Sequence, residues 1–562
     1  MDPLAQLPSE LILRIIEFTP TASLAALTRL NHSWNSFIDE THQEAIYSTP
    51  GRTYHPLGVR DFTSLKQDGR SFSKYYDNIT SCKDLCRRQT LLSKNWSHER
   101  PLTKERIIRV GNDPIWRFRP DFQRRVILST SHSGGLNVSD MDSGRLLWSL
   151  DRDVVRPFAH LEYADGIACW DCEWEGVEVW RIGREGGEKV KVLGHDVMTR
   201  GFQLSCFGDG EGKKWCLCVV SSEGCGFVYE GLRGDLELTR RITIPTGAVG
   251  HLDQDESVVV YSMGNEGYWF YEKGSGENLG VLDPEQAGCE VFFARHPDKR
   301  PRRATALGMQ DGMGKSARDR TTPLTVQAGS FPGDDRVSLD EDEWGAGMLS
   351  GNLFVGVSRG GRLLVCPNWH KLCAEKNKKK NLIQIIDCDS DGSSFDLGGW
   401  LSVRDHRVMF EIQDLIYIIG LTDDDHVQAS NPTHQEDEGV LLARPSFTTA
   451  TSIKPQLANP VSFMGLYEDC IMSTYTTLHY RWRREEGEGG APGPLRALNR
   501  IFQTKAVRVL SLAPELDGDE EVEGESGDGE ESLPGVDATR AELHSLIAML
   551  AEGEDDEGED GG

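Results

Sequence analysis

126-VILSTSHSGGLNVSDMDSGRLLWSL-150 alternates short apolar and β-branched runs with two turn signals, Gly134-Gly135 and Asp142-Ser143-Gly144. Glycine accepts positive φ, and Asp and Ser bond to their own backbone, so the segment reads strand, turn, strand, turn, strand. The run 115-IWRFRP-120 supplies a fourth strand on its amino side. Comparable turns fall at Gly176 in 167-IACWDCEWEGVEVW-180, Gly224 in 216-CLCVVSSEGCGFVYE-230 and Gly267 in 258-VVVYSMGNEGYWFYE-272. The steps from Gly134 are 42, 48 and 43 residues. A four-stranded propeller blade needs a repeat of about 40–45 residues. The period breaks after residue 290, and the stretch near 297–343 reads as a polar insertion. Strands resume at 353-LFVGVSRGGRLLVC-366 and 382-LIQIID-387, then at 407-RVMFEIQDLIYIIGL-421, and finally at 461-VSFMGLYEDCIMSTYTTLHYRW-482 with 506-AVRVLSL-512. Counting the sets predicts an all-β propeller of about seven blades over 107–513, with a series of β-sandwiches as the alternative.

Outward from this region the text changes. Residues 1–46 read as short helices with little Gly, and 60–100 as helical and basic. In 7-LPSELILRIIEFTPTASLAALTRLNHSWNSFI-38, Pro8 suits a first helical turn. Leu11, Ile12, Ile15 and Ile16 form an apolar stripe, and Pro20 ends that helix. Leu24, Leu27 and Leu30 follow on a second helix capped by Thr21 or Ser23. A third begins at Asn31 or Ser33 and carries Trp34, Phe37 and Ile38. Some 40 residues rarely stabilise a core alone. About ten large apolar side chains are more than three short helices can hide, so the surplus is expected to meet another surface.

The order Leu7-Pro8-x-Glu10-Leu11, Ile15-Ile16, Leu24, Leu27, Leu30-Asn31 and Trp34 resembles the F-box, the adaptor-binding module of Skp–cullin–F-box ubiquitin ligases. The likeness covers about 35 residues. Thr19 stands where the family usually has an apolar residue, and Ser23 where it often has Asp. The resemblance implies that Leu7, Pro8, Leu11, Ile12, Ile15, Ile16, Leu24, Leu27, Leu30 and Trp34 bind a Skp-type adaptor. The segment 82-CKDLCRRQTLLSKNW-96 is similar to the linker helix that precedes the propeller in F-box proteins with WD repeats, with Cys82 where that family commonly has Trp. Such a helix fixes the distance between adaptor and substrate reader, whereas a flexible linker loses effective concentration. Ser139-Asp140 stands where WD repeats often have Trp-Asp, and Gly194-His195 resembles their Gly-His.

Charge narrows the partners. The 562 residues carry a formal charge of −28, yet Glu515 to Gly562 holds 19 acids against Arg540 alone, leaving −10 for the rest. Phosphates are repelled overall, which speaks against nucleic acid or anionic lipid. No apolar run approaches the ~20 residues of a membrane span, and no basic segment followed by an apolar one opens the chain. Thirteen cysteines, an odd number, argue against a disulfide scaffold and for a reducing compartment, cytoplasm or nucleus. The runs 376-KNKKK-380 and 299-KRPRR-303 read as solvated loops or as nuclear import signals.

Residues 514–562 are too polar to bury a core and are expected to be disordered, with a short helical stretch near 539–550 carrying Leu543, Leu546, Ile547 and Leu550. Removing 515–562 is therefore expected to leave the thermal transition of the body nearly unchanged. A drop above about 5 °C would imply roughly 1 kcal/mol or more of packing by that tail.

Catalytic signals are weak. Cys169-x-x-Cys172 and Cys82-x-x-x-Cys86 lack a second pair at zinc-finger spacing, and Cys216 and Cys218 share one strand face. No phosphate loop of the Gly-x-x-x-x-Gly-Lys-Ser/Thr form occurs. The expectation is a non-catalytic substrate receptor with no cofactor and no metal. It would join a cullin–RING ligase through the adaptor and take a protein substrate, phosphorylated in some family members, on one propeller face. The rivals are a ligase-independent scaffold and an enzyme using the channel. Arg117, Arg119, Arg156 and Arg404, near strand ends of an acidic protein, are the candidates for reading the substrate. At least two of them should converge in one pocket.

Overall fold

A computed structural model describes residues 3–515 apart from 49–70, 80, 112, 173–175, 195–198, 209, 246–250, 285–288, 297–319, 331–342, 375–382, 389–399, 413–414, 431–443, 452–460 and 487–491. The acidic tail with its 539–550 stretch, both basic runs and His195 lie outside the described residues.

The amino-terminal helices are Pro3–Gln6, Ser9–Glu17, Thr21–Leu27, His32–Asn35 and Gln43–Tyr47, with a π-helical turn at Ser36–Thr41. Pro8 and Pro20 precede the second and third, and Asn31 caps the fourth, its Oδ1 accepting from Trp34 N at 2.9 Å. Ile12, Ile16, Leu24, Ile38, Ile46 and Tyr47 form their core, completed by Cys82 and Cys86 of the linker helix Cys82–Trp96. The small module thus borrows a neighbour to bury itself. Within the stretch expected to be helical, 71–79 forms turns instead. Lys74 and Asn78 sit at φ 58° and 59°, outside any right-handed helix.

Among the described residues, seven four-stranded units follow. The first is Ile115–Asp121, Val126–Ser131, Leu136–Asp140 and Leu146–Leu150, hydrogen-bonded in that order. In the next five, the first strands are Leu161–Ala164, Thr199–Phe207, Leu252–Gln254, Trp344–Ser350 and Leu401–Arg404. These inner strands pack side by side around a central channel, which is the arrangement of a β-propeller. The last unit is closed from both ends of the body: Met464–Leu466, Cys470–Glu486 and Pro492–Ser511 are completed by Lys104–Ile108 as outermost strand. The first strand of the first unit packs on this last one. About seven blades, the number expected, is what the sheets show.

One expectation needs correction. The stretch read as a polar insertion contains the strand Thr321–Ala328, which pairs antiparallel with Cys289–Arg295. This hairpin lies across the outer edges of the fifth and sixth blades. Cys289–Arg295 runs parallel to Ile383–Cys388, and Thr321–Ala328 pairs with Ser446–Ala450. Two blades become one ten-stranded sheet with both edges covered. The strand was hidden because 321-TTPLTVQA-328 is short, half polar and flanked by charged runs.

Blades pack through large side chains on their middle strands. Trp170 and Trp180 of the second blade, 5.2 Å apart, pack in a cluster with Val126, Leu128 and Val138 of the first, and Tyr268 fills the space left by Gly347 and Gly356 of the next blade, where an added Cβ would come within 2.7 and 2.4 Å of it. The described cysteines are all free thiols.

Candidate functional site

Two surfaces carry chemistry, and strand direction places them at opposite ends of the propeller. In each blade, turns from first to second strand and from third to fourth lie on one face. Turns from second to third strand, and the passages between blades, lie on the other.

The helical module sits on the first face. Asn95 Nδ2 donates to Leu512 O at 2.7 Å, and Trp96 Nε1 to Glu468 O at 3.0 Å. Arg407 lies 5.0 Å over the Trp96 ring. The strap 71–79 closes the joint. Buried Asp469 accepts from Ser71 Oγ at 2.7 Å, Phe72 N at 2.9 Å and Ser73 N at 2.9 Å, while Arg88 of the linker helix donates to Tyr75 O and Asp77 O. On the module side, Lys83 Nζ meets Asp39 Oδ2 at 2.6 Å. The joint is thus made of named, mostly part-buried bonds centred on buried Asp469 rather than of a loose tether.

The module divides the ten expected adaptor residues in two. Leu7, Leu11, Ile15 and Leu30 are exposed at 39, 52, 57 and 65%, and Pro8 is exposed beside them. Ile12, Ile16 and Leu24 are buried in the module's own core, with Leu27 and Trp34 packed against it. The reason is helical spacing. In Ser9–Glu17, positions 12 and 16 point inward and positions 11 and 15 outward. Phe18, 76% exposed, belongs to the outer set and was missed because it lies past the periodic stripe.

Around the channel, Arg117 and Arg119 of the first inner strand meet His160 and Glu162 at the start of the second. Arg119 Nη2 donates to Glu162 Oε1 at 2.6 Å. His160 Nε2 lies 2.8 Å from that oxygen and 3.1 Å from Arg117 Nη1. The guanidinium of Arg117 also covers Trp400 at 4.3 Å, and Arg119 covers Phe463 at 4.5 Å. Burial, and then the charge of Arg117, push His160 down to about 4. Burial alone would raise Glu162, but Arg119 and the His160 hydrogen bond hold it at about 2. The ionised Glu162 is thus paired directly with Arg119, and Arg117 stands next to it against His160.

Arg156 lies on the rim of the same face and pairs with Asp171. Arg404 does not belong with the others. It ends its inner strand on the face of the helical module, 3.3 Å from Asp405 and 3.6 Å from Glu468. Of the four candidates, two converge, one stands at the rim of the same face and one lies on the opposite face. Beside Arg117 and Arg156 the mouth gains a cluster that sequence reading missed: Trp116, His132 and Phe158, with centroids 4.8–5.6 Å apart. Phe158 is 48% exposed and held at φ 55°, a costly backbone state for a bulky residue. No periodicity marks this cluster, because it unites an inner strand, a turn and an interblade loop.

Farther round the channel, buried Asp253 accepts from Leu349 N at 2.6 Å and from the Gln203 amide. Burial pushes its carboxyl up to about 7. The folded chain then holds this proton more tightly than the unfolded one, so the stability from this group declines as pH rises from about 4 to about 7. Asp253→Asn is expected to melt a few degrees above wild type at pH 8, with the two converging near pH 4. A difference independent of pH in thermal melts would refute this.

Residues 4–42 match the F-box domain family. No curated protein matches the chain. Among solved structures, the WD40 repeats of RRP9 are 10% identical over 72% of this chain and 97% of that one, with TM-score 0.39. BamB from Moraxella catarrhalis is 9% identical over 73% and 98%, with TM-score 0.37. Among the described residues no helix is long and apolar enough to cross a membrane, and no cluster of His, Cys, Asp and Glu could hold a metal ion.

Proposed function

Since the chain carries an F-box domain ahead of a β-propeller, we propose that it is the substrate receptor of a Skp–cullin–F-box ubiquitin ligase, acting in the cytoplasm or nucleus. One observation carries the reading: Leu7, Leu11, Ile15, Phe18 and Leu30 stay exposed on a module that has already buried its own core. Fully burying one such side chain is worth about 1.5–3 kcal/mol, so the set suits a permanent helical partner of the Skp type. The joint through Asp469, Asn95 and Trp96 would then hold the ligase at one propeller face. The mouth around Trp116, Arg117 and Phe158 would present the protein substrate at the other.

In this mechanism the chain contributes no catalytic group. Its rigid joint keeps substrate lysines within reach of the ubiquitin thioester carried by the cullin–RING partner, and the rate gain is one of effective concentration. The test is mass spectrometry of proteins co-purified with the full chain, with and without proteasome inhibition. The reading requires adaptor and cullin in the complex, together with partners that accumulate on inhibition. Adaptor without accumulating partners would favour the ligase-independent scaffold.

A further inference from the structure

We propose that Ser73 is a phosphorylation site whose modification releases the strap 71–79 from the last blade. Ser73 is an exposed residue, yet its backbone N–H and its hydroxyl both donate to Asp469 Oδ2. Ser71 Oγ donates to the same oxygen, and Phe72 N to Oδ1. Asp469 itself is fully buried. A carboxylate removed from water is stable only while these donors stay in place. The strap's backbone passes twice through the left-handed region, at Lys74 and Asn78, and besides Asp469 it is anchored by the two Arg88 bonds, the bond from Arg125 Nη1 to Ser71 O at 3.1 Å, the Lys74–Asp142 pair and the buried side chains of Phe72, Tyr75 and Ile79.

Ser73 is flanked by Arg70 three residues before it and Lys74 directly after it, in 70-RSFSK-74. Basic residues at such positions suit the acidic substrate grooves of basophilic serine kinases. Local opening of the strap would expose the hydroxyl. The kinase would transfer the γ-phosphoryl group of ATP to Oγ; the O–H proton passes to the kinase's base, the bond to the β-phosphate oxygen breaks, and ADP leaves. The product lacks the donor hydrogen that met Asp469 and adds about −1.5 to −2 charges beside a buried carboxylate. The nearby cations do not offset this, because Lys74 and Arg125 are already paired with Asp142. Phosphorylation therefore traps the open strap. The linker helix stays seated by Asn95 and Trp96, so the joint loosens without detaching. Nothing in this depends on the ligase reading.

The full-length protein would be treated with a cAMP-dependent-type kinase and ATP, the phosphate mapped, and amide hydrogen exchange followed in 71–79 and 464–474. Incorporation at Ser73 is expected, absent in Ser73→Ala, with exchange in both segments rising at least tenfold. Ser73→Glu should reproduce most of that rise and Ser73→Ala much less. In Asp469→Asn, phosphorylation should add little to an already raised baseline, which tests the charge argument even if Ser73→Glu fails to fold. Lack of phosphate at Ser73, unchanged exchange after incorporation, or equal effects of Ser73→Ala and Ser73→Glu would each overturn the proposal.

Discussion

Leu11→Asp and Ile15→Asp are each expected to abolish capture of a Skp-type adaptor while the body melts at the wild-type temperature. Both side chains are more than half exposed on Ser9–Glu17, so a carboxylate there is solvated in the free protein and costs the fold little. In a complex it would be driven into an apolar interface without a partner, at a cost of several kcal/mol. Each 1.4 kcal/mol is tenfold in affinity, so a loss of at least about 100-fold follows. Ile12→Asp makes the contrast. Its side chain is buried among Ile16, Leu24 and Cys86, and the same charge should unfold the helical module itself. Titration calorimetry with purified adaptor, paired with thermal melts, separates the two effects. Undiminished capture by both outward variants would remove the F-box reading.

The second large effect concerns closure of the ring. A chain beginning at residue 97 should fold its propeller, whereas one beginning at residue 110 should not give a monomeric, cooperatively melting body. Lys104–Ile108 pairs with residues 507–511 of the last blade, and Ile108 and Val110 enter a core with Phe118, Val507 and Val509. Arg508, itself buried, donates from Nε to Glu105 Oε1 at 2.6 Å. Losing that carboxylate leaves a buried guanidinium unpaired, which typically costs 3–5 kcal/mol. The edge thus uncovered invites pairing with another chain. In the full chain, Glu105→Ala should lower the melting temperature by several degrees. Size-exclusion profiles and melts of the two truncations check the rest; equal behaviour would show that the closing strand is dispensable.

Much of this architecture was written locally. Gly134, Gly224 and Gly267 each stand at the turn between second and third strands, with φ of 90°, 78° and 77° that other residues rarely adopt. Their spacing is therefore the spacing of the blades. Pro8, Pro20 and Asn31 mark helix starts for equally local reasons, a fixed φ or a side-chain cap. The apolar stripe of the first helices was visible as well, but as a single set. Periodicity counts apolar residues on a helix and cannot say which side a neighbour will cover, and here the neighbour is the linker helix through Cys82 and Cys86.

The sequence by itself determined the order of modules, the blade repeat and the existence of a surplus apolar surface, because each depends on contacts within about 40 residues. Tertiary structure alone decided what depends on distant partners. It put Ile12 inside and Phe18 outside, and made Lys104–Ile108 the last strand of a blade whose other strands begin at Met464. It joined Arg119 to Glu162 and sent Arg404 to the opposite face. It also bound Ser73 to Asp469 across nearly four hundred residues. Closing a ring sets inner strands against one another regardless of their separation in sequence, so the chemistry of the channel and of the joint exists only once the ring has closed.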